Sequence, residues 1–482
     1  MSSPKGIQTQ SPKGKGRELI VAETAGTVYD VVILGGGSGG YACALRAAQL
    51  GMSVALVEKG KLGGTCLHQG CIPTKALLHA AEVADSSRES EQFGVRSTFE
   101  GIDMPAVNEY KDGIVARLYK GLQGLVKSRK ITYLEGFGRL VGPTTVEVDG
   151  QRIEGRHIVL ATGSVPKSLP GLDIDAERVI NSDHALKLNS VPGSVVVLGG
   201  GVIGCEFASV WKSFGADVTI VEALPHLVPL EDEQSSKAIE RAFRKRGIGF
   251  ELGARFSGVE RTDTGVRVSL ENGKQVEADL LLVAVGRGPV SQELGYEQVG
   301  VEMERGFVKV DGHCQTNVAT ISAVGDLIPT LQLAHVGFGE GILVAERLAG
   351  LDPAPIDYDG VPRVTYSEPE VASVGITEVK AKEKYGDDGI ETVTYDLAGN
   401  GKSQILKTVG FVKLVRQKNG PVVGIHMVGS RVGELIAEAQ LIYGWEAYPE
   451  EVAQLIHAHP TQTEAVGEAH LALAGKPLHA HG

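Results

Sequence analysis

The chain has 482 residues, 42% of them hydrophobic and 22% charged, so it is too long for one hydrophobic core and reads as roughly three or four globular domains. Its formal net charge of −12 excludes nonspecific nucleic-acid binding, which needs a basic surface, and no run approaches the roughly 20 apolar residues of a membrane span. Five cysteines, at positions 43, 66, 71, 205 and 314, are too few for the disulfide framework of a secreted protein.

The first 28 residues carry Lys, Gly, Ser and Gln without an apolar h-region. We therefore expect a flexible tail over 1–28, no secretory signal and a cytoplasmic protein; a mitochondrial-type presequence is the weaker alternative, because Arg is scarce and Glu18 and Glu23 are present. Tyr29 to Leu34 (YDVVIL) then reads as a short strand, followed by a turn with Gly35, Gly37 and Gly40, a helix-like run, a second strand and the acid Glu58. In such a GxGxxG turn the first glycine permits the tight bend, the second lets backbone approach a pyrophosphate, and the third lets helix pack on strand. The phosphate sits at the helix N-terminus and the acid accepts from a ribose hydroxyl.

Next comes KLGGTCLHQGCIPTKALL, with Cys66 and Cys71 separated by four residues. A disulfide here closes too small a ring to act as a staple, since loop-closure stabilisation grows with loop length. In the first turns of a helix, unpaired N–H groups favour a thiolate, which suits a redox pair. For an isolated pair the ordinary reading is two buried structural cysteines. The surrounding motifs outweigh it here.

Ser194 to Leu198 (SVVVL) starts the same unit again, with Gly199, Gly201, Gly204 and Glu222 each displaced by 164 residues from their counterparts. One such fingerprint is weak evidence; two in matching context imply two dinucleotide sites. Ala223, Leu224, Pro225 and His226 follow Glu222, so no Arg stands next in sequence to receive a 2′-phosphate, which favours NAD over NADP.

Three apolar strands end in small-residue turns suited to cofactor contact: IVLATGS (158–164), LLVAVGRGP (281–289) and TISAVGD (320–326). Taken alone, Asp326 is an ordinary Gly-Asp turn residue, but its place at a strand end points to a cofactor hydroxyl. Residues 356–482 lack a third fingerprint and alternate β-branched and helical runs, which suggests an antiparallel sheet covered by helices. HAHPTQTEA (457–465) stands near the end. Its Thr461 to Glu464 also fit a capping box, so Glu464 has a purely structural reading.

Together, the cysteine motif, both GxGxxG units, ATGS, VGD and HAHPTQTEA resemble the flavin-dependent pyridine nucleotide-disulfide oxidoreductase family, from about Tyr29 to the C-terminus. The resemblance implies an α/β fold of two Rossmann-like dinucleotide-binding domains, for FAD (29–163) and NAD (164–287). A central domain (288–355) completes the FAD site, and a C-terminal α+β dimerisation domain (356–482) follows. It also implies that Cys71 faces the flavin, that Cys66 exchanges with a substrate dithiol, and that His459, oriented by Glu464, takes the substrate proton in the partner subunit of a homodimer. Lys75 would pair with Glu206 beside the flavin. Further cofactor contacts are implied at Gly64, Thr65, Gly138, Thr162, Gly163, Ser164, Leu333, Ala334 and His335, and on the NAD side at Val202, Ile203 and Gly286.

Several residues narrow the choice within the family. Val202 stands where glutathione-reducing members carry an aromatic gate, the chain ends LAGKPLHAHG without a cysteine pair, and Cys71 supplies the second cysteine that soluble transhydrogenases lack. The resemblance therefore implies oxidation of dihydrolipoyl groups with NAD. The implied partners are lipoyl domains and the acyltransferase core of a 2-oxoacid dehydrogenase complex, with no metal. The alternative is an NADH-dependent disulfide reductase for a small thiol. Ser38, Thr74 and Gly288 depart from the usual Pro, Ser and Arg.

Overall fold

The computed structural model describes residues 26–479; the expected tail over 1–28 lies almost wholly outside them. Strands Val28–Leu34, Val54–Glu58, Thr132–Glu135 and Gln151–Leu160 form the parallel part of the first sheet, with Ile33 opposite both Leu56 and Val159. These strands are near-continuous apolar runs because both faces are covered. A meander of Gly138–Gly142 and Thr145–Val148 pairs antiparallel with the start of the long strand Gln151–Leu160.

Its other end pairs in parallel with Ile321–Ala323, a strand from the segment expected as a separate central domain. The helix that follows, Ala334–Leu348, crosses helix Ser38–Gln49 so closely that a Cβ on Gly341 would fall 2.3 Å from the Gly39 carbonyl oxygen. Arg46 and Glu346 close the same contact with an ion pair at 2.6 Å. Residues 321–348 thus complete the first dinucleotide unit in space.

The second sheet is parallel, in the order 249–251, 217–221, 194–198, 280–283, 179–181. An antiparallel trio, Phe256–Arg261, Val266–Leu270 and Gln275–Ala278, lies beside it. Ser164–Pro166 and Arg287–Pro289 form a two-stranded ladder that ties the way into this unit to the way out. In the C-terminal unit five antiparallel strands follow the order 363–365, 370–375, 422–429, 411–417, 390–396, and residues of helices Val432–Gly444 and Glu464–Leu473 share one buried cluster with them. Strand Ile390–Asp396 at the sheet's edge alternates more and less buried positions, while Glu370–Gly375 inside the sheet is almost wholly buried. Among the described residues, no helix is long and apolar enough to cross a membrane.

Candidate active site

The two glycine turns are conformational copies. Gly35 and Gly199 both have φ +112°, and a Cβ at either would fall 2.1 or 2.4 Å from the carbonyl oxygen of Ala161 or Ala284. At the third glycine of each motif a Cβ would fall 1.8 Å (Gly40) or 1.9 Å (Gly204) from the carbonyl oxygen of the first. Gly37 and Gly201 are N-caps of their helices with extended backbone and no side-chain cap, which leaves the first N–H groups of each helix for an anion. Both acids brace their own turn. Glu58 accepts from Gly36 and Gly60 N–H at 2.7 and 2.6 Å, and Glu222 from Gly200 and Leu224 N–H at 2.6 and 2.8 Å.

Gly204→Ala is expected to destabilise the protein by about 2 kcal/mol, because the clash is with backbone and the turn must shift to relieve it. Urea unfolding measures this; an unchanged midpoint would mean that the turn relaxes freely.

The cysteines straddle a helix break. Cys66 is the third residue of helix Gly64–Gln69 and Cys71 the first of helix Cys71–Arg88, with Gly70 between them. Pro73 sits in the first turn of the second helix, where its missing N–H costs nothing, and Thr74 Oγ1 donates to the Gly70 carbonyl at 2.6 Å. Leu77, Ala81 and Ala84 bury the face of this helix away from the thiols. Gly64 packs against the first glycine turn, since its Cβ would fall 2.6 Å from Gly37 Cα. That contact brings the redox helix onto the first dinucleotide cradle.

Both cysteines are free thiols. The hydrogen bond from Cys66 lowers the Cys71 thiol below its ordinary range, and the nearby Lys75 charge acts in the same direction against burial. The same hydrogen bond, together with burial, pushes Cys66 up. Lys75 Nζ lies 2.8 Å from both carboxylate oxygens of the buried Glu206. Burial works against the Lys75 charge, and Glu206 together with Cys71 and Tyr366 outweighs it, raising its pKa.

One cavity of about 1540 Å³ joins these parts. It is bordered by Gly37, Thr65, Cys66, Cys71, Lys75, Gly163 and Ser164, then by Gly199, Gly201, Val202, Ile203, Glu206, Glu222 and Gly286, and by Asp326, Leu333, Ala334 and His335. A Cβ on Gly163, Gly201 or Gly286 would meet nothing within 4 Å, so the cradle is open at the positions where backbone must face a ligand. Two open helix N-termini within one elongated cavity fit two dinucleotides.

Some expected residues lie elsewhere. Gly138 does not border this cavity, and on its Cβ side it packs in the first core, where a Cβ would fall 2.6 Å from Leu34 Cδ1 and 2.9 Å from Val57 Cγ1. Thr162 turns inward and bonds the Val290 carbonyl and Tyr296 hydroxyl. Gly35, Gly40, Glu58, Gly64 and Gly204 shape the cradles from behind. His459 and Glu464 come together, with Nδ1 2.8 Å from Oε1, but the His459 side chain is 77% exposed and borders no part of the cavity within this chain. The expected capping box is half formed: Glu464 Oε2 accepts from Thr461 N–H at 2.7 Å, but the helix begins at Glu464 itself, and Thr463 makes no side-chain cap. Glu464 therefore holds both the entering loop and the imidazole.

Other site residues escaped the sequence reading. Tyr366 borders the cavity, donates its N–H to Glu206 at 3.0 Å and places its ring 4.7 Å from Lys75 Nζ. No local pattern marks it. Glu340, fully buried, accepts from Gly325 N–H, Thr330 Oγ1 and Tyr358 OH at 2.6, 2.8 and 3.0 Å and so holds the turn before Asp326. An acid inside the apolar run GFGEGILVAE was its visible signal. Arg287 donates to Ser164 Oγ and Ser164 O, both at 2.7 Å, beside Asp326. Arg255 also borders the cavity, carried there by the Ala254 N–H bond to the Glu222 carbonyl, so the absence of Arg next to Glu222 holds along the chain but not in space.

A thiol pair between two dinucleotide cradles defines a flavoprotein disulfide oxidoreductase, and the chain belongs to the pyridine nucleotide-disulphide oxidoreductase family. Residues 29–341 match that family and residues 361–470 its dimerisation domain. It is an oxidoreductase that takes FAD and NAD. The chain is 42% identical over 473 residues to dihydrolipoyl dehydrogenase of Bacillus subtilis (strain 168), covering 94% of this chain and 99% of that protein. It is 40% identical over 467 residues to mitochondrial dihydrolipoyl dehydrogenase of Pisum sativum, covering 93% and 92%. Among solved structures, LpdA from Mycobacterium tuberculosis superposes with a TM-score of 0.86 at 27% identity, over 92% of this chain and 99% of that one.

Proposed function

We propose that the chain oxidises dihydrolipoyl groups to lipoyl disulfides and delivers the electrons to NAD, as a homodimer serving a 2-oxoacid dehydrogenase complex. The observation that carries this reading is the hydrogen-bonded Cys66–Cys71 pair set in one cavity with both dinucleotide cradles. The relatives named above indicate the substrate class.

In this reading a substrate thiolate attacks the Cys66 sulfur of the oxidised pair and Cys71 leaves as a thiolate. The second substrate thiolate then displaces Cys66, which closes the lipoyl disulfide and leaves two cysteine sulfurs reduced by two electrons. A lowered pKa makes Cys71 the better leaving group, and the Lys75 ammonium, held by Glu206 and the Tyr366 ring, stabilises its charge. Bound FAD supplies the two-electron carrier between the dithiol and NAD. The cradle at Gly37 and the Gly163, Ser164 and Asp326 turns would hold it, while Gly199 to Gly204 and Glu222 would hold NAD.

His459 takes the proton of the attacking thiol, and Glu464 keeps one imidazole nitrogen engaged so that the other is free to act. His459 lies outside its own chain's cysteine cavity, so it serves the cavity of a second copy. We retain the domain limits inferred from sequence and count 288–355 with the FAD unit.

The direct test is NADH formation from dihydrolipoamide and NAD, with glutathione and NADP as parallel controls. Turnover of the lipoyl dithiol alone supports the reading; a protein reduced by NADH that leaves the dithiol untouched rejects it. A second expectation concerns charge. In the reduced protein, alkylation of Cys71 by iodoacetamide, followed by peptide mass, should rise with pH through a midpoint below the ordinary thiol value of about 8.5. A midpoint at that value would count first against the Cys66 hydrogen bond, and then against the Lys75 charge, as the causes of a lowered Cys71 pKa.

A further inference from the structure

Three units of the fold meet at one ion pair. Lys75 stands one turn into helix Cys71–Arg88, and Glu206 one turn into helix Val202–Phe214, whose N-terminus is the second glycine turn. Tyr366 follows strand Arg363–Thr365 of the C-terminal sheet and reaches the pair from a third side. It touches both partners: its backbone N–H donates to Glu206 Oε1 at 3.0 Å, and its ring lies 4.7 Å from Lys75 Nζ. Among the described residues, Glu206 and this ring are the partners of the ammonium. A cation is attracted to the face of an aromatic ring, more strongly where water is excluded, and here Glu206 is 3% exposed and Tyr366 half-buried.

The position of the ammonium matters because the two partners act on Cys71 in opposite senses: Lys75 lowers the pKa of its thiol and Glu206 raises it. At a neighbouring group a contact ion pair is felt as the difference between two nearly equal terms, so a small displacement of the ammonium changes the result. The other groups facing Cys71 are the Cys66 thiol, the Arg287 guanidinium and the Tyr41 hydroxyl. Those facing Tyr366, besides Lys75 and Glu206, are Glu370 and Glu434. Glu370 is itself held by the Gly433 N–H at 2.8 Å. Burial raises the Tyr366 pKa and keeps its hydroxyl neutral, and among the described residues that hydroxyl makes no hydrogen bond. The ring, not the hydroxyl, is the group in contact with the ammonium.

We propose that Tyr366 is a positioning residue of the redox centre: its ring fixes the Lys75 ammonium against Glu206 in the place from which that charge stabilises the Cys71 thiolate. The C-terminal unit thereby sets the charge on a cysteine that belongs to the first unit. The role requires an aromatic face and no hydroxyl. It concerns Cys71 before any substrate binds, and it rests on the dithiol reading only in that Cys71 is the leaving thiolate there.

The test is the pH midpoint of Cys71 alkylation by iodoacetamide in the reduced, FAD-containing protein, read by peptide mass, in the wild type, Tyr366→Phe and Tyr366→Leu. Both variants retain the backbone N–H to Glu206, so they isolate the ring. Tyr366→Leu should raise the midpoint by about half a pH unit, the scale of one cation–π contact, while Tyr366→Phe should titrate as the wild type does. If Tyr366→Leu does not fold, Tyr366→Met, closer in volume and equally without an aromatic face, takes its place. An unmoved midpoint in the variant lacking the ring, or an equal rise in Tyr366→Phe, would overturn the assignment. Failure of the functional reading looks different: dihydrolipoamide would not turn over in protein whose Cys71 midpoints still separate Tyr366→Phe from Tyr366→Leu.

Discussion

Cys66→Ala protein keeps its yellow flavin and loses dithiol oxidation altogether. The exchange step forms and breaks a bond at the Cys66 sulfur, and no neighbouring side chain replaces it: Cys43, Cys205 and Cys314 are buried in the cores at 0 to 2% exposure. The alanine should be tolerated, because helix Gly64–Gln69 is held from elsewhere. Leu67 is buried, and His68 bonds the Leu62 carbonyl at 2.9 Å and packs its ring on Tyr119. Gly37, Gly163, Ser164 and Asp326, which border the large cavity and are proposed above to hold the flavin, are not altered by the substitution. Absorbance of the purified variant and its NADH formation from dihydrolipoamide are the two readings. Colourless protein, or residual turnover above background, would count against the roles assigned here.

His459→Gln should slow thiol oxidation by roughly 100-fold or more, the usual scale for losing a general base. Glutamine retains the length of the side chain but takes up no proton near neutral pH. Among the described residues, the neighbouring His457 is engaged otherwise by the fold. Its Nε2 lies 2.7 Å from Glu438 Oε1, its side chain is 12% exposed, and the hydrogen bond to Glu438 raises its pKa. Unchanged turnover in His459→Gln would therefore move the base away from this loop. The cross-subunit assignment has its own check. A mixture of Cys66→Ala and His459→Gln chains, dissociated and reassociated, should regain activity that neither variant shows alone, because the hybrid dimer contains one cavity with intact Cys66 facing an intact His459. No recovery in verified hybrids would place the base within the same chain.

How much of this was legible in the sequence depends on the distance over which each constraint acts. The glycine turns were readable because each is closed by residues within a few positions: Gly35 and Gly40 collide if either gains a Cβ, and the second unit repeats the collision at Gly199 and Gly204. The redox helix was readable because Gly70, Pro73 and the apolar spacing of Leu77, Ala81 and Ala84 are contiguous. For the Lys75–Glu206 pair, the residues by themselves offered only a solvated lysine; the family resemblance supplied the partner, and the two carboxylate contacts at 2.8 Å bring the pair together.

Other features had no local signature. Only the neighbouring strands show that Leu34 and Val57 leave no room for a side chain at Gly138. Tyr366 reaches the site through a backbone N–H, which any residue type possesses, so its identity carried no signal. The capping box at Thr461 was a sound pattern that the chain uses only in part, because Glu464 is also committed to His459.

The sequence by itself determined the two dinucleotide turns, the spacing and helical setting of the redox cysteines, and the acid–imidazole pair at the C-terminus, because short-range sterics and hydrogen bonds act between residues close along the chain. Only the tertiary structure decided that strand Ile321–Ala323 returns to the first sheet, that Gly39 and Gly341 let two helices touch, and that Tyr366 and Arg255 border the cavity. It also set His459 outside its own chain's cysteine cavity. Those outcomes depend on which apolar faces cover one another, and burial is non-directional: it rewards any close packing and leaves no mark in the spacing of residues that meet from far apart.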